Sequence, residues 1–248
     1  MTYLSSGPYM KRYKPDQFQF KQFTVTHKRS SMKVGTDGVL LGAWTSVEGV
    51  HTVLDIGTGT GLIALMLAQR TSGKIPIDAV EISAEASADA SDNFKCSPWS
   101  SAIQLHHLPI QKFTSTRKYD LIVSNPPYFI NSFKPPDKQR ELARHAEQLS
   151  LKELIDVVKV LLQPTGRLAL ILPFSESKIL KALAHHAGLH CIRECNFHSR
   201  AHKPIERVIL EFSYRKGEVR TSTLCLYRMG EEWTPEYKSL THEFYLKG

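Results

Sequence analysis

The sequence predicts an α/β fold, a doubly wound and mostly parallel sheet with helices on both faces and an antiparallel edge strand. Three observations carry this expectation. Strand and helix signals alternate from residue 50 onward, and five such units follow one another. Two further strand candidates then close the chain with no long helix between them, as an antiparallel pair requires.

The elements follow in order. "TVLDI" (52–56) is a short buried strand, and "GLIALMLAQR" (61–70) is apolar on all sides, like a helix packed on a sheet. "IDAVE" (77–81) is the second strand, after which Ser83 is placed to cap a helix over "AEASADASDNFK". "AIQLHH" is a weak third strand and "YDLIVS" (119–124) a strong fourth. "SLKE" (150–153) is a capping box that opens the amphipathic helix "LKELIDVVKVLL". "GRLALILP" (166–173) is the fifth strand, and the helix "SESKILKALAHHAG" ends at Gly188. "HCIRECNF" and "ERVILEF" form the terminal strand pair. Residues 1–50 read as a basic, aromatic extension and residues 51–248 as the domain proper. The segment 129–149, "FINSFKPPDKQRELARHAEQL", is a long charged loop with a second Pro-Pro, and such loops are more often functional than structural.

Composition narrows the classes. A chain of 248 residues with 42% hydrophobic and 23% charged residues is an ordinary globule able to bury a core. No apolar run approaches the ~18 residues of a membrane helix. The start "MTYLSSGPYMKRYKP" lacks the apolar core of a signal peptide, and four irregularly spaced cysteines fit a reducing compartment, so a cytoplasmic location is expected. The net charge of +8 is uneven: +4 over residues 1–50, −1 over 51–130 and +5 over 131–248. Basic flanks around a slightly acidic middle suit a polyanionic partner as well as plain solubility.

The middle carries the motifs. "VLDIGTGTGL" (53–62) sets Gly57, Gly59 and Gly61 at alternate positions between a strand and a helix, where backbone can approach a ligand closely. A dinucleotide fold would show G-x-G-x-x-G. Here the spacing is G-x-G-x-G and Asp55 precedes it, a carboxylate that repels a diphosphate and suits a cationic amino-acid group. Glu81 ends the second strand twenty residues after Gly61, placed to accept both hydroxyls of a ribose. S-adenosylmethionine fits the description of a nucleoside without a diphosphate but with an ammonium group.

"SNPPYF" (124–129) follows the fourth strand. Each proline fixes φ and lacks an N–H, so the ladder must stop there. Asn125 and Tyr128 are thereby left at the strand's carboxyl end, where open α/β sheets bind ligands.

"VLDIGTGTG", "AVEIS" and "SNPPY", in that order, resemble class I S-adenosylmethionine-dependent N-methyltransferases acting on planar amines. The upstream stretch "FKQFTVTHKRSSMKVGTDGVLLGAW" (20–44) narrows the resemblance to the tRNA1(Val) adenine-N6 methyltransferases. The resemblance covers nearly the whole chain. It implies a Rossmann-like, seven-stranded class I methyltransferase that modifies the adenine just 3′ of the anticodon, with S-adenosylmethionine as donor and tRNA as partner. It further implies that Gly57, Gly59 and Gly61 line the methionine side, with Asp55 near its amino group and Glu81 on the ribose. Thr36 and Asp37 match the motif that closes over the methionine end. Asn125 and the Pro126 carbonyl hold the target amine, and Tyr128 stacks on its ring. One departure stands out: related enzymes often carry an Asp after the third strand for the donor adenine, and this chain has Leu108 and Pro109.

Other classes remain in view at this point: a protein glutamine N5-methyltransferase, an RNA guanine N2-methyltransferase and an inactive RNA-binding module. Lys28, Arg29, Lys33, Phe129 and Arg144 are candidate RNA contacts. The basic residues from Lys11 to Arg29, interleaved with Tyr13, Phe18, Phe20 and Phe23, are expected to grip phosphates. Cys191, Cys195, His198 and His202 have spacing that resembles a metal site. The two cysteines sit at an even offset in a strand, however, where thiols pack as small hydrophobes, so no metal is expected. The pairs His106–His107 and His185–His186 are expected at the surface.

Overall fold

The computed structural model describes residues 16–127 and 149–246. The expectations placed on Lys11, Arg12, Tyr13, Lys14, Tyr128, Phe129 and Arg144, and on nearly all of the loop 129–149, fall outside them. A small antiparallel hairpin, β1 (Gln17–Gln19) and β2 (Thr24–Thr26), precedes helix α1 (Thr36–Trp44). The alternation follows: β3 (Val53–Ile56), α2 (Leu62–Arg70), β4 (Ile77–Glu81), α3 (Ala84–Lys95), β5 (Ile103–His107) and β6 (Tyr119–Ser124). After the loop come α4 (Leu151–Leu161), β7 (Leu162–Pro173) and α5 (Phe174–His186). Strands β8 (His190–Arg200), β9 (Arg207–Ser213) and β10 (Arg220–Tyr227) lead to a last helix, α6 (Pro235–Thr241).

The central sheet has the order β10-β8-β9-β7-β6-β3-β4-β5. Strand β9 is antiparallel to both neighbours, and every other pair is parallel. The sheet therefore has eight strands where seven were expected, and its antiparallel strand lies inside rather than at the edge. The unforeseen strand is β10, "RTSTLCLY". Its first four residues are exposed and only Leu224 is buried, so it lacks the apolar run that marks a buried strand.

The caps form as their residues dictate. Ser83 accepts from the Ala86 N–H, Ser150 and Glu153 complete the reciprocal capping box, and Gly188 turns the chain after α5 at φ 79°. One face of the sheet packs against α1, α2, α3, α6 and the hairpin; the other packs against α4 and α5.

Three expectations change here. Phe20 and Phe23 are buried and stacked with ring centroids 4.7 Å apart, and Trp99 meets Phe23 edge-on at 6.0 Å. These rings belong to the core and present no face to a base, because packing of the hairpin against α3, Trp99 and Tyr245 absorbs them. The even offset of Cys191 and Cys195 fails to put them on one face, because a bulge between Cys191 and Arg193 shifts the register. Cys191 packs toward the α4/α5 side and Cys195 toward the other. His106 is also not a surface residue: its Nε2 lies 2.7 Å from the carboxylate of buried Asp78, which also accepts from the Tyr119 hydroxyl at 2.8 Å.

At the amino end of the parallel strands, buried Glu211 of β9 is held by two arginines. Arg167 Nη1 lies 3.1 Å from one carboxylate oxygen and Arg193 Nη1 lies 2.8 Å from the other. Arg167 also donates to the carbonyls of Ser46 and Glu48, and the Arg193 guanidinium lies 4.0 Å over the Trp44 ring. This cluster fastens the segment after α1 to the sheet. Glu211→Gln leaves two desolvated guanidinium groups without a counter-charge, so it should lower unfolding stability by roughly 3 kcal/mol in urea titrations. A loss below about 1 kcal/mol would show that the arginines are already solvated.

Candidate active site

The strand order reverses between β3 and β6, which are parallel neighbours with Ile56 opposite Ser124. Ligands of open α/β sheets settle at such a switch point, outside the carboxyl ends of the strands. Gly57 and Asn125 leave the sheet there from adjacent strands. The Ser124 hydroxyl donates to the Ile56 carbonyl at 2.8 Å and ties the two exits together, a contact that sequence reading missed. Asn125 is half-buried, Pro126 buried and Pro127 exposed, so the chain turns outward as the prolines require.

The loop from Gly57 to Gly61 uses positive φ at all three glycines (70°, 59° and 87°). Its N–H groups are largely committed. Gly57 and Thr58 donate to the Val80 carbonyl, Gly61 donates to Thr58, and Gly59 donates to a Glu81 carboxylate oxygen at 2.8 Å. A diphosphate site needs such donors free, so this loop is not one. A Cβ built at Gly57 or Gly59 would meet no protein atom within 4 Å, whereas at Gly61 it would strike the Phe94 ring at 2.3 Å. The first two glycines thus front open space, and the third lets α3 pack close. The other Glu81 oxygen accepts from the Ser83 N–H at 2.8 Å. Glu81 is buried and held by both oxygens, each with a lone pair remaining for a hydroxyl.

Asp55 is fully buried at the end of β3. One oxygen accepts from the Thr58 hydroxyl at 2.6 Å and the Ala64 N–H at 3.2 Å. The other, Oδ1, has no hydrogen-bond partner among the described residues. Desolvation pushes its pKa up from 3.8 to about 7, partly offset by the Thr58 and Ala64 bonds and reinforced by the nearby Glu81 charge. Oδ1 is thus a buried acceptor with no partner among the described residues, at the base of the glycine loop.

The upstream residues arrive by long-range ties. Thr36 and Asp37 form the first turn of α1, whose Gly38 touches Leu62 and Ile63 of α2, so that turn adjoins the glycine loop. Asp37 Oδ2 accepts from Arg207 Nε at 2.8 Å, which links α1 to the start of β9. Asn93 of α3 donates to the carbonyls of Thr26 and Thr60 and accepts from the Thr26 N–H. It therefore joins the hairpin to the glycine loop. Neither Arg207 nor Asn93 carries a local motif, so only the folded chain identifies them. Lys28 and Lys33 are exposed, but Arg29 is bound to buried Asp89 at 3.0 Å and to Asp92 at 2.8 Å. Leu108 and Pro109 are half-buried beyond β5, and the Leu108 N–H is taken by the Glu81 carbonyl. Among the described residues no three His, Cys, Asp or Glu side chains gather as a metal-binding group.

The methyltransferase small domain family matches residues 35–179. A tRNA1(Val) (adenine(37)-N6)-methyltransferase from Trichodesmium erythraeum is 45% identical over 94% of this chain and 98% of its own length. Proteins of the same name from Tolumonas auensis and Bacteroides fragilis are 43% and 44% identical, each over 93% of this chain and 97% and 98% of their own lengths. Among solved structures, a predicted O-methyltransferase from Agrobacterium tumefaciens is 16% identical and superposes with a TM-score of 0.64 over 84% of this chain and 96% of its own. A glycopeptide N-methyltransferase crystallised with S-adenosylmethionine is 15% identical and gives 0.53 over 73% of this chain and 99% of its own. At such identities these two structures speak for the fold alone.

The burial of Asp55 has a pH signature. Its folded pKa lies above the unfolded value, so its cost is absent below pH ~4, grows as pH rises and is complete above about 7. The shift corresponds to roughly 4 kcal/mol. Asp55→Asn should therefore gain stability relative to the parent between pH 4 and 7, with a plateau above, in urea unfolding of the ligand-free protein. A difference independent of pH would mean that Asp55 stays ionised at no cost.

Proposed function

The chain belongs to the tRNA1(Val) (adenine-N6)-methyltransferase family, and from that premise we propose that it transfers a methyl group from S-adenosylmethionine to the exocyclic N6 of the adenine 3′ of the anticodon in tRNA-Val. The observation that carries the proposal is the pairing of Ile56 with Ser124, which sets the exits toward the glycine loop and toward Asn125–Pro126 side by side at the β3–β6 switch point. When bound, S-adenosylmethionine supplies an electrophilic methyl group on a sulfonium centre. Glu81 accepts the ribose hydroxyls, Asp55 Oδ1 and the glycine loop take the methionine end, and Thr36 and Asp37 close over it. The unpartnered oxygen of Asp55 and the open space before Gly57 and Gly59 fit that ligand. In this reading residues 1–50 are an extension that brings in Thr36 and Asp37, and residues 51–248 are the catalytic domain.

An adenine amino nitrogen is a poor nucleophile because its lone pair is delocalised into the ring. The Asn125 side-chain oxygen and the Pro126 carbonyl accept its two N–H bonds, aim the nitrogen at the methyl group and favour the pyramidal geometry of the transition state. No strong general base is required, since the proton becomes acidic only once the new bond forms. Tyr128 supplies a stacking face worth ~1–3 kcal/mol. The target adenine must leave its own stack to enter. No helix among the described residues is long and apolar enough to cross a membrane. A tRNA substrate supports the reading of a cytoplasmic enzyme.

Incubation with labelled donor and a tRNA-Val transcript, followed by nucleoside analysis, tests the reaction. N6-methyladenosine at the position 3′ of the anticodon is the expected product; its absence in an enzyme that binds the donor sinks the reading. Asn125→Ala should lower kcat by about a hundredfold or more with donor affinity within about twofold, since its contacts matter where charge develops. Glu81→Ala should weaken donor binding by about tenfold or more in calorimetry, because the ribose hydroxyls lose a buried acceptor. Unchanged donor affinity in that variant would mean that the donor lies elsewhere.

A further inference from the structure

With the donor over β3 and β4 and the adenine over Asn125, the remaining tRNA must lie across the other half of the carboxyl edge. We propose that the turn between β8 and β9, together with the end of β10, forms the rim that grips tRNA phosphates there, with Lys203 and Arg228 as its outward charges. The inference rests on the tRNA reading above and adds the surface that holds the substrate.

Topology places the rim. Strand β8 runs parallel to β7 and ends at Arg200, β9 begins at Arg207, and β10 pairs with β8 so that Tyr227 faces Arg200. All three ends therefore lie at the carboxyl edge, beyond β7 from Asn125. Neighbouring strands are about 4.8 Å apart, so β9 and β8 stand roughly 10 to 14 Å from β6. Nucleotides flanking a splayed adenine span such a gap.

The turn is already ordered. His198 Nδ1 lies 2.7 Å from the Lys203 carbonyl, and the Lys203 N–H donates to Arg200 at 2.9 Å. Arg200 donates to the Gly230 carbonyl and lies 5.2 Å over the Tyr227 ring, which fixes the β10 end against the turn. A rim held in shape this way spends little ordering entropy on a ligand. Most nearby acids are engaged: Glu206 accepts from Ser199, Asp37 is paired with Arg207, and Glu232 lies 3.5 Å from Lys238. Glu231 is the exposed acid that follows Gly230. Lys203, Arg228 and His202 are exposed, and neither Lys203 nor Arg228 forms an ion pair among the described residues. Lys33 is exposed in the segment leading into α1, which Arg207 fastens to the same edge. By contrast, the charge of Arg29, a contact expected from sequence, is met by two aspartates on α3 at the donor half.

The test compares two exposed pairs at opposite ends of the sheet. Lys203→Ala/Arg228→Ala removes the rim charges. Arg215→Ala/Lys216→Ala removes two equally exposed charges just after β9, at the opposite end of the sheet. Each variant is first checked for a parent-like thermal transition and donor affinity. Binding of a tRNA-Val transcript is then titrated across salt concentrations. The rim variant should bind about tenfold more weakly at low salt, with its log–log salt slope reduced by roughly 0.7–0.9 for each lost contact, and its KM for tRNA should rise. The control pair should behave like the parent. Parent-like affinity and slope in the rim variant overturn the proposal, and so does an equal loss in both variants, which would mark diffuse attraction. Failure of the parent enzyme to methylate the transcript sinks the tRNA reading itself, and that result precedes any variant.

Discussion

The carboxyl edge of the sheet is arranged around the burial of one carboxylate, Asp55. Removing it from water is unfavourable, and the chain offsets this only in part, with the Thr58 hydroxyl and the Ala64 N–H on one oxygen. Those two bonds also define the loop, because they fold Thr58 back under β3 and seat the first turn of α2 on the strand end. The positive φ values at Gly57, Gly59 and Gly61 are what that tight return requires. A neutral side chain would hold the same loop at lower cost. The retained cost leaves one buried acceptor oxygen without a partner among the described residues.

Helix α3 carries the consequences outward. Asp89, Asn93 and Phe94 lie on one side of the helix and reach three different parts of the chain. Phe94 fills the space that Gly61 leaves, Asn93 joins Thr26 to Thr60, and Asp89 accepts from the N–H groups of Arg29 and Ser30. The hairpin and the segment after it are thereby laid against the glycine loop before α1 begins. A sequence-distant extension thus becomes part of the site through buried polar contacts, each of which would be unfavourable if unpaired.

Strands β3, β4, β6 and β7 and helices α3, α4 and α5 were legible in the sequence, because each is a local pattern of apolar period, cap or breaker. The candidate site was legible to the same degree: Asp55, the three glycines, Glu81 and Asn125 sit at strand ends that the motifs themselves mark. What escaped was set by distance. Phe20 and Phe23 look like exposed aromatics among basic residues until α3, Trp99 and Tyr245 are there to cover them. Arg29 looks like a free cation until α3 brings Asp89 and Asp92 beside it. The bulge after Cys191 and the strand β10 arise from pairing, which a period-two pattern in one segment does not encode.

The same distance argument explains how the edge divides. On the donor side Arg29 is matched by Asp89 and Asp92, and the carboxylates of Asp55 and Glu81 are buried. On the far side Glu206 is engaged by Ser199, and the outward groups include Lys203 and Arg228 beside one acid, Glu231. A cationic, compact donor and a polyanionic acceptor make opposite electrostatic demands on one edge. Separating the two fields across the switch point lets each half attract its own ligand without repelling the other.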